Sequence, residues 1–147
     1  GPAARLIVNS PRWIRAHDPR TGREVWRLDN RVPRPYDRIP SPFASGDLAV
    51  IAGGGSERPI FAVRPDAAGD ITPAAGGAPG PALAWVADRG SPYMATPVAY
   101  QGVLYAVGQN GVLTTFDVTT GTRLYQQRVG PVGAIYSASP VAAGGHV

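Results

Sequence analysis

The chain has 147 residues, a formal net charge of +4, 16% charged and 44% hydrophobic residues, 19 glycines, 16 prolines and no cysteine. So much glycine and proline argues against a helical bundle, and apolar runs such as DLAVIA and GVLYAV argue against a disordered chain. Without cysteine there is no disulfide, thiolate zinc site or haem attachment, and no apolar stretch approaches the roughly 18 residues of a membrane-spanning helix.

Taken in chain order, Gly1-Pro2 reads as a protease-cleavage scar. Short β runs follow: LIVNS, WIRAHD, DLAVIA, IFAVR, LAWVAD, TPVAY, GVLYAV, VLTTFD and RLYQQRV. Turn signals such as NSP, SGD, GGGS, YQG and GQNG bound them, and no window carries a 3.6-residue apolar stripe. The expected class is all-β. Every basic residue is arginine, and nine of the fourteen precede Ile39, against four acids there. These arginines are spaced and interleaved with Asp18, Glu24, Asp29 and Asp37, which favours charged exposed strands over a nucleic-acid site.

Two segments align with each other, IRAHDPRTGREVW (14–26) and TTFDVTTGTRLY (114–125). In each, an aspartate (Asp18, Asp117) is followed by Thr-Gly (Gly22, Gly121) and, four residues after the glycine, by an aromatic (Trp26, Tyr125). The carboxylate is suited to accept turn N–H groups and the glycine to take the positive φ that closes a hairpin. Trp85 is the corresponding aromatic of a middle repeat, where Arg64 replaces the turn aspartate and the linker DAAGDITPAAGGAPGPA replaces the tight turn. A second marker, a hydroxyl residue before proline, recurs at Ser41-Pro42, Thr96-Pro97 and Ser139-Pro140, the last two 43 residues apart. Periods of about 40 to 45 residues are those of propeller blades.

WIRAHDPRTGREVW and GVLYAVGQNGVLTTFDVTTGTRLYQQRV resemble the PQQ-like (quinoprotein-type) β-propeller repeat family. The resemblance covers nearly all of residues 5–147 and implies four-stranded antiparallel blades. Read in that frame, residues 6–30 supply the last three strands of one blade, 39–88 and 94–129 supply two whole blades, and 137–147 supply one inner strand. That is material for about three blades, cut one strand out of phase, whereas a closed ring takes about four to eight. The chain is then either a piece of a longer propeller or a unit whose copies exchange strands. A homodimer closing a six-bladed ring is the favoured arrangement.

Candidate functional residues fall where inner strands begin. Arg38 and Ser41, Tyr93, Met94 and Thr96, and Tyr136, Ser137 and Ser139 occupy corresponding places in successive blades and are the candidates for an axial pocket. His17 and His146 are the candidate metal ligands, but only in a divalent-metal site shared between chains. The cofactor residues and vicinal disulfide of quinoprotein dehydrogenases have no counterparts here, so no cofactor is expected and PQQ least of all. The expected role is an interaction or ligand-binding scaffold, periplasmic or secreted in the parent protein as the family implies. The alternative is a hydrolase of anionic phosphate or sulfate esters, because guanidinium groups match such oxygens.

Overall fold

The β runs pair with their sequence neighbours, as short antiparallel strands joined by tight turns do. A computed structural model describes residues 4–30, 40–54, 58–74 and 78–147, in which there are twelve strands and no helix. They form three separate four-stranded sheets. Blade 1 contains β1 (Leu6–Asn9), β2 (Trp13–His17), β3 (Glu24–Asp29) and β7 (Gly69–Asp70), in the order β1-β2-β3-β7. Blade 2 contains β4 (Phe43–Ser45), β5 (Leu48–Ala52), β6 (Ile60–Val63) and β8 (Leu83–Ala87), in the order β4-β5-β6-β8. Blade 3 is an unbroken meander of β9 (Val98–Tyr100), β10 (Val103–Val107), β11 (Val112–Asp117) and β12 (Arg123–Arg128). The all-β, open, blade-like class expected from the sequence is the class observed.

Two cores lie between consecutive blades rather than inside any one of them. Ile14, Ala16, Trp26 and Leu28 of blade 1 pack on Ile51, Phe61, Val63 and Leu83 of blade 2. Val50, Ile60, Ala62 and Trp85 of blade 2 pack on Leu104, Ala106 and Phe116 of blade 3. The two-residue side-chain period puts alternate residues of a strand on opposite faces, so the middle blade buries both. β6 is accordingly buried at all four positions. Blades 1 and 3 each bury one face and leave the other open. Leu6, Val8, Leu124 and Tyr125 are each about half exposed or more.

Two details depart from the sequence reading. The linker replacing the middle turn is not merely a connection. Its Gly69–Asp70 pairs in parallel with β3, matching Trp26 with Gly69 and Arg27 with Asp70, and so caps the outer edge of blade 1. Thr72 fixes the crossing, since its Oγ1 accepts the Asp29 N–H at 2.8 Å. The inner strand expected at 137–147 is also not a strand. It carries the single bridge Ala143–His146, because no second strand lies alongside to pair with it among the described residues.

Candidate functional site

The Asp-x-x-Thr-Gly turns form as their chemistry requires. Asp18 Oδ1 accepts the N–H groups of Arg20 (2.8 Å) and Thr21 (3.1 Å), and Asp117 Oδ1 those of Thr119 (2.9 Å) and Thr120 (2.8 Å). Gly22 and Gly121 both have φ 72°. Donated N–H groups favour the charged carboxylate and hold both aspartates below the ordinary carboxylate value. Asp70 is lowered in the same way by the side chain and N–H of Thr72. A β-bulge precedes each turn, between Ala16/His17, Ala62/Val63 and Thr115/Phe116. It brings Trp26, Trp85 and Tyr125 to one equivalent place on the face looking towards the next blade.

That place is a joint between blades. Trp85 donates its Nε1–H to Val118 O at 3.0 Å, and its ring lies on Gly121, where a Cβ would stand 2.5 Å from Cδ2. The turn glycine therefore also admits the tryptophan of the preceding blade. Gly22 has the same φ, yet a Cβ there would meet nothing within 4 Å. Trp26 is 3% and Trp85 4% exposed, but Tyr125, their equivalent, is 47% exposed.

The hydroxyl-proline residues form a second joint. Ser41 N–H donates to Thr96 Oγ1 at 2.9 Å, and Thr96 N–H donates to Ser139 Oγ at 3.0 Å. In this relay Ser41, just before β4, thus reaches Thr96, just before β9, and Thr96 in turn reaches the terminal segment at Ser139. Of the axial candidates, Ser41, Thr96 and Ser139 belong to it, and Arg38 lies outside the described residues.

Of the remaining candidates, Tyr93 and Tyr136 line two different clefts, and Met94 and Ser137 line neither of these. Tyr93 lines a cleft of about 630 Å³ between the connection that follows blade 2 and the β10–β11 turn and 128–135 segment of blade 3's end, with Ser91, Gln109, Asn110, Arg128 and Ile135. Arg128 Nη1 donates to Asn110 O there at 2.7 Å. Tyr136, Ser139 and His146 line a cleft of about 570 Å³ on the open face of blade 3, with Tyr100, Tyr105 and Tyr125. Tyr136 is wedged on two glycines: a Cβ on Gly111 would meet its ring at 2.7 Å, and one on Gly130 would overlap its hydroxyl. Its N–H donates to Gln109 O at 2.9 Å. Met94 is half-buried and Ser137 exposed. Sequence reasoning missed Tyr100, whose Oη accepts the Gly145 N–H at 2.9 Å, and Tyr105, although both alternate correctly for the open face.

The two histidines stand in different elements. His17 donates Nδ1–H to Gly22 O at 3.1 Å and so braces the turn, while His146 sits in the terminal bridge. Among the described residues no group of three or more His, Cys, Asp or Glu side chains is placed to hold a metal ion. No helix of these residues is long and apolar enough to cross a membrane. Blade 1 carries one more cluster. The guanidinium carbons of Arg12, Arg27 and Arg15 lie 5.3, 5.6 and 5.8 Å from the centre of the Trp13 ring. The same arginines pair with Asp29, Glu24 and Asp70.

Successive blades joined face to face by a turn aromatic and a hydroxyl relay define the chain as an open arc of a β-propeller. Residues 11–147 match the family described as outer membrane protein assembly factor BamB, and the chain belongs to that family of PQQ-like propeller repeats. Among solved structures it is similar to BamB from Moraxella catarrhalis, with 17% identity and a TM-score of 0.65, covering 96% of this chain and 41% of that one. It is also similar to a europium-containing methanol dehydrogenase, with 11% identity and a TM-score of 0.55, covering 86% of this chain and 23% of that one. The chain thus spans less than half the length of either structure, and both likenesses concern the fold. A search of the curated proteins finds no match.

Proposed function

We propose that the chain is an interaction scaffold that works through its blade faces, and that copies of it associate through the two faces left open. The observation that carries this reading is the contrast within one equivalent position. Trp26 and Trp85 are buried by a following blade, whereas Tyr125 stands 47% exposed above a cleft with Tyr100, Tyr105 and Tyr136. Apolar and aromatic surface of that kind is stabilised by covering it, at about 25 cal/mol per Å². Membership of a family named for an outer-membrane assembly factor supports partner binding as the work of the parent protein, and a periplasmic or secreted setting for it. The cleft lined by Tyr93 and Arg128 offers a cation and a phenol to a small anionic ligand.

The test is the solution mass. Light scattering and sedimentation across a concentration series are expected to give twice the 15.3 kDa of one chain at high concentration. A monomer at every concentration overturns the proposal.

A further inference from the structure

We propose that two adjoining clefts, where the connection leaving blade 2 meets blade 3, form one binding site for a small phosphate monoester with an aromatic body. Arg89, Arg123 and Arg128 hold the dianion, and Tyr93 and Ile135 flank the body. The proposal rests on the anionic-ligand reading of the Tyr93 cleft and is independent of whether copies associate. Its lining residues all fall within 89–135, so no residue outside that stretch is needed to form it.

The site follows from a difference between equivalent positions. The Thr115/Phe116 bulge of blade 3 corresponds to the Ala62/Val63 bulge of blade 2, which aligns Tyr125 with Trp85. On the face towards the preceding blade, blade 2 then has Leu83 opposite Val63 and Val86 opposite Phe61, all in the first core or packed on it. The same places in blade 3 hold Arg123 opposite Phe116 and Gln126 opposite Thr114. Gln126 Nε2 donates to Thr114 Oγ1 at 2.9 Å, a polar pair where blade 2 has an apolar one. The outer part of this joint is consequently polar and unfilled, a cleft of about 270 Å³ lined by Arg89, Thr114, Arg123 and Gln126. Gly90 brings the connection close to blade 3: at φ 100°, a Cβ on it would stand 2.8 Å from the Phe116 ring.

Charge selects the ligand. Beyond Asp88 the chain has three arginines, and all of them line these clefts, Arg89 and Arg123 the smaller and Arg128 the larger. Among the described residues no carboxylate lines either cleft, and Asp117, the one acid of that stretch, is committed to its turn. The Arg123 guanidinium has no ion-pair or hydrogen-bond partner among the described residues. Arg128 is held by its Nη1–H bond to Asn110 O, which leaves its other N–H groups to a ligand. Ser91, Gly108 and Asn110 line both clefts, which therefore adjoin. Three cations without a counter-charge suit a dianion, and guanidinium forks match phosphate oxygens in charge and geometry. The larger cleft adds Tyr93 and the exposed apolar side chains Val132 and Ile135, a surface for an aromatic ring. Ser91 Oγ accepts the Gly54 N–H and donates to Pro92 O. The lining thus offers donors and charge rather than a free nucleophile, and the proposal is one of binding.

The test is calorimetric titration of the whole chain with 1-naphthyl phosphate at about pH 8, where the monoester is a dianion. One site per chain is expected, with a dissociation constant of about 1 mM or tighter. Inorganic phosphate should compete for it and bind about tenfold more weakly, and 1-naphthol should not bind. Arg123→Gln, a change at an exposed side chain, should weaken naphthyl phosphate about tenfold or more with an unchanged circular dichroism spectrum. Ile135→Ser should weaken naphthyl phosphate and leave inorganic phosphate unaltered. Arg23→Gln, on the β2–β3 turn of blade 1, should change neither. Equal losses in Arg123→Gln and Arg23→Gln overturn the site. Equal affinities for naphthyl and inorganic phosphate overturn the ligand class and leave the anion-binding reading of the cleft standing. No saturable binding of either phosphate rejects both the site and that reading, whatever the solution mass.

Discussion

Gly22 and Gly121 form a natural matched pair for measuring what a blade joint contributes. Both close an Asp-x-x-Thr-Gly turn at φ 72°, and both N–H groups donate to the aspartate carbonyl at 2.8 Å. They differ in what lies above: Trp85 at Gly121, open space at Gly22. An alanine at either site takes on the left-handed backbone penalty of about 1–2 kcal/mol. At Gly121 the new methyl also enters the Trp85 ring, whose position is held by Val118 and the second core, and overpacking of this kind costs a further 1–3 kcal/mol or so. Urea denaturation of dilute protein is therefore expected to show Gly22→Ala losing about 1–2 kcal/mol and Gly121→Ala about 2–5 kcal/mol. Trp85 fluorescence should shift in Gly121→Ala alone. Equal losses in the two variants would refute the reasoning, since they would mean that the glycine serves only its own turn. Concentration adds a second reading. If the proposed association covers the turn at Gly22, the cost of Gly22→Ala grows with protein concentration, and that of Gly121→Ala stays constant.

The hydroxyl relay predicts unequal effects from similar changes. Thr96→Val removes the acceptor for Ser41 N–H and should cost about 1 kcal/mol in thermal or urea unfolding, while Ser41→Ala in dilute protein should cost less than about 0.5 kcal/mol. Equal costs would remove the relay as an explanation of the marker. The turn carboxylates predict acid sensitivity. Asp18, Asp70 and Asp117 are lowered in the folded chain, so their contribution is complete above the unfolded carboxylate value and is lost as pH falls through the folded one. The urea midpoint should be flat from neutral pH down to the ordinary carboxylate range and fall below it, less steeply in Asp117→Asn; identical profiles for the two proteins would contradict this origin.

What was legible in the sequence was local. Asp18, Gly22, Asp117 and Gly121 announce a turn whose hydrogen bonds close within five residues, so neighbouring letters suffice to identify it. Trp26, Trp85 and Tyr125 were legible as periodic markers, and their role between blades follows from that period. The other half of the hydroxyl marker was not legible. Proline accounted for the strand start, and nothing local reveals that Thr96 serves Ser41 from 55 residues away. β7 was invisible for a related reason: two residues carry no alternation, and their partners lie 43 positions back on β3. Where the site candidates lie was not legible either, because the turns and connections that line a cleft meet across the chain and not along it. Residues equivalent along the repeat, Tyr93 and Tyr136, consequently line different clefts instead of facing each other.

The arginine bias also has a structural place. At the open face of blade 1, Arg15, His17 and Arg27 stand where blade 2 puts Phe61, Val63 and Val86 against its neighbour. Apolar side chains at those three places would leave a sticky surface whenever the face is uncovered. Arginine offers instead a stem that packs, a planar head that stacks on aromatic rings and a charge that stays hydrated while the face is open. The charges are balanced within the blade, on Asp29, Glu24 and Asp70, and stacked around Trp13. Beyond Asp88 the sequence holds a single side-chain carboxylate, Asp117, already committed to its turn, so the tyrosine-rich face of blade 3 brings no acid to these arginines. The proposed association of copies would then depend on ring stacking and apolar contact, and not on new ion pairs. Its dissociation constant should change less than about threefold between 50 mM and 500 mM salt, where an interface built on ion pairs between the copies would weaken steeply as the charges are screened. Sedimentation at the two ionic strengths decides between them, and a loss of association at high salt would show that the arginines leave their own blade to pair across the junction.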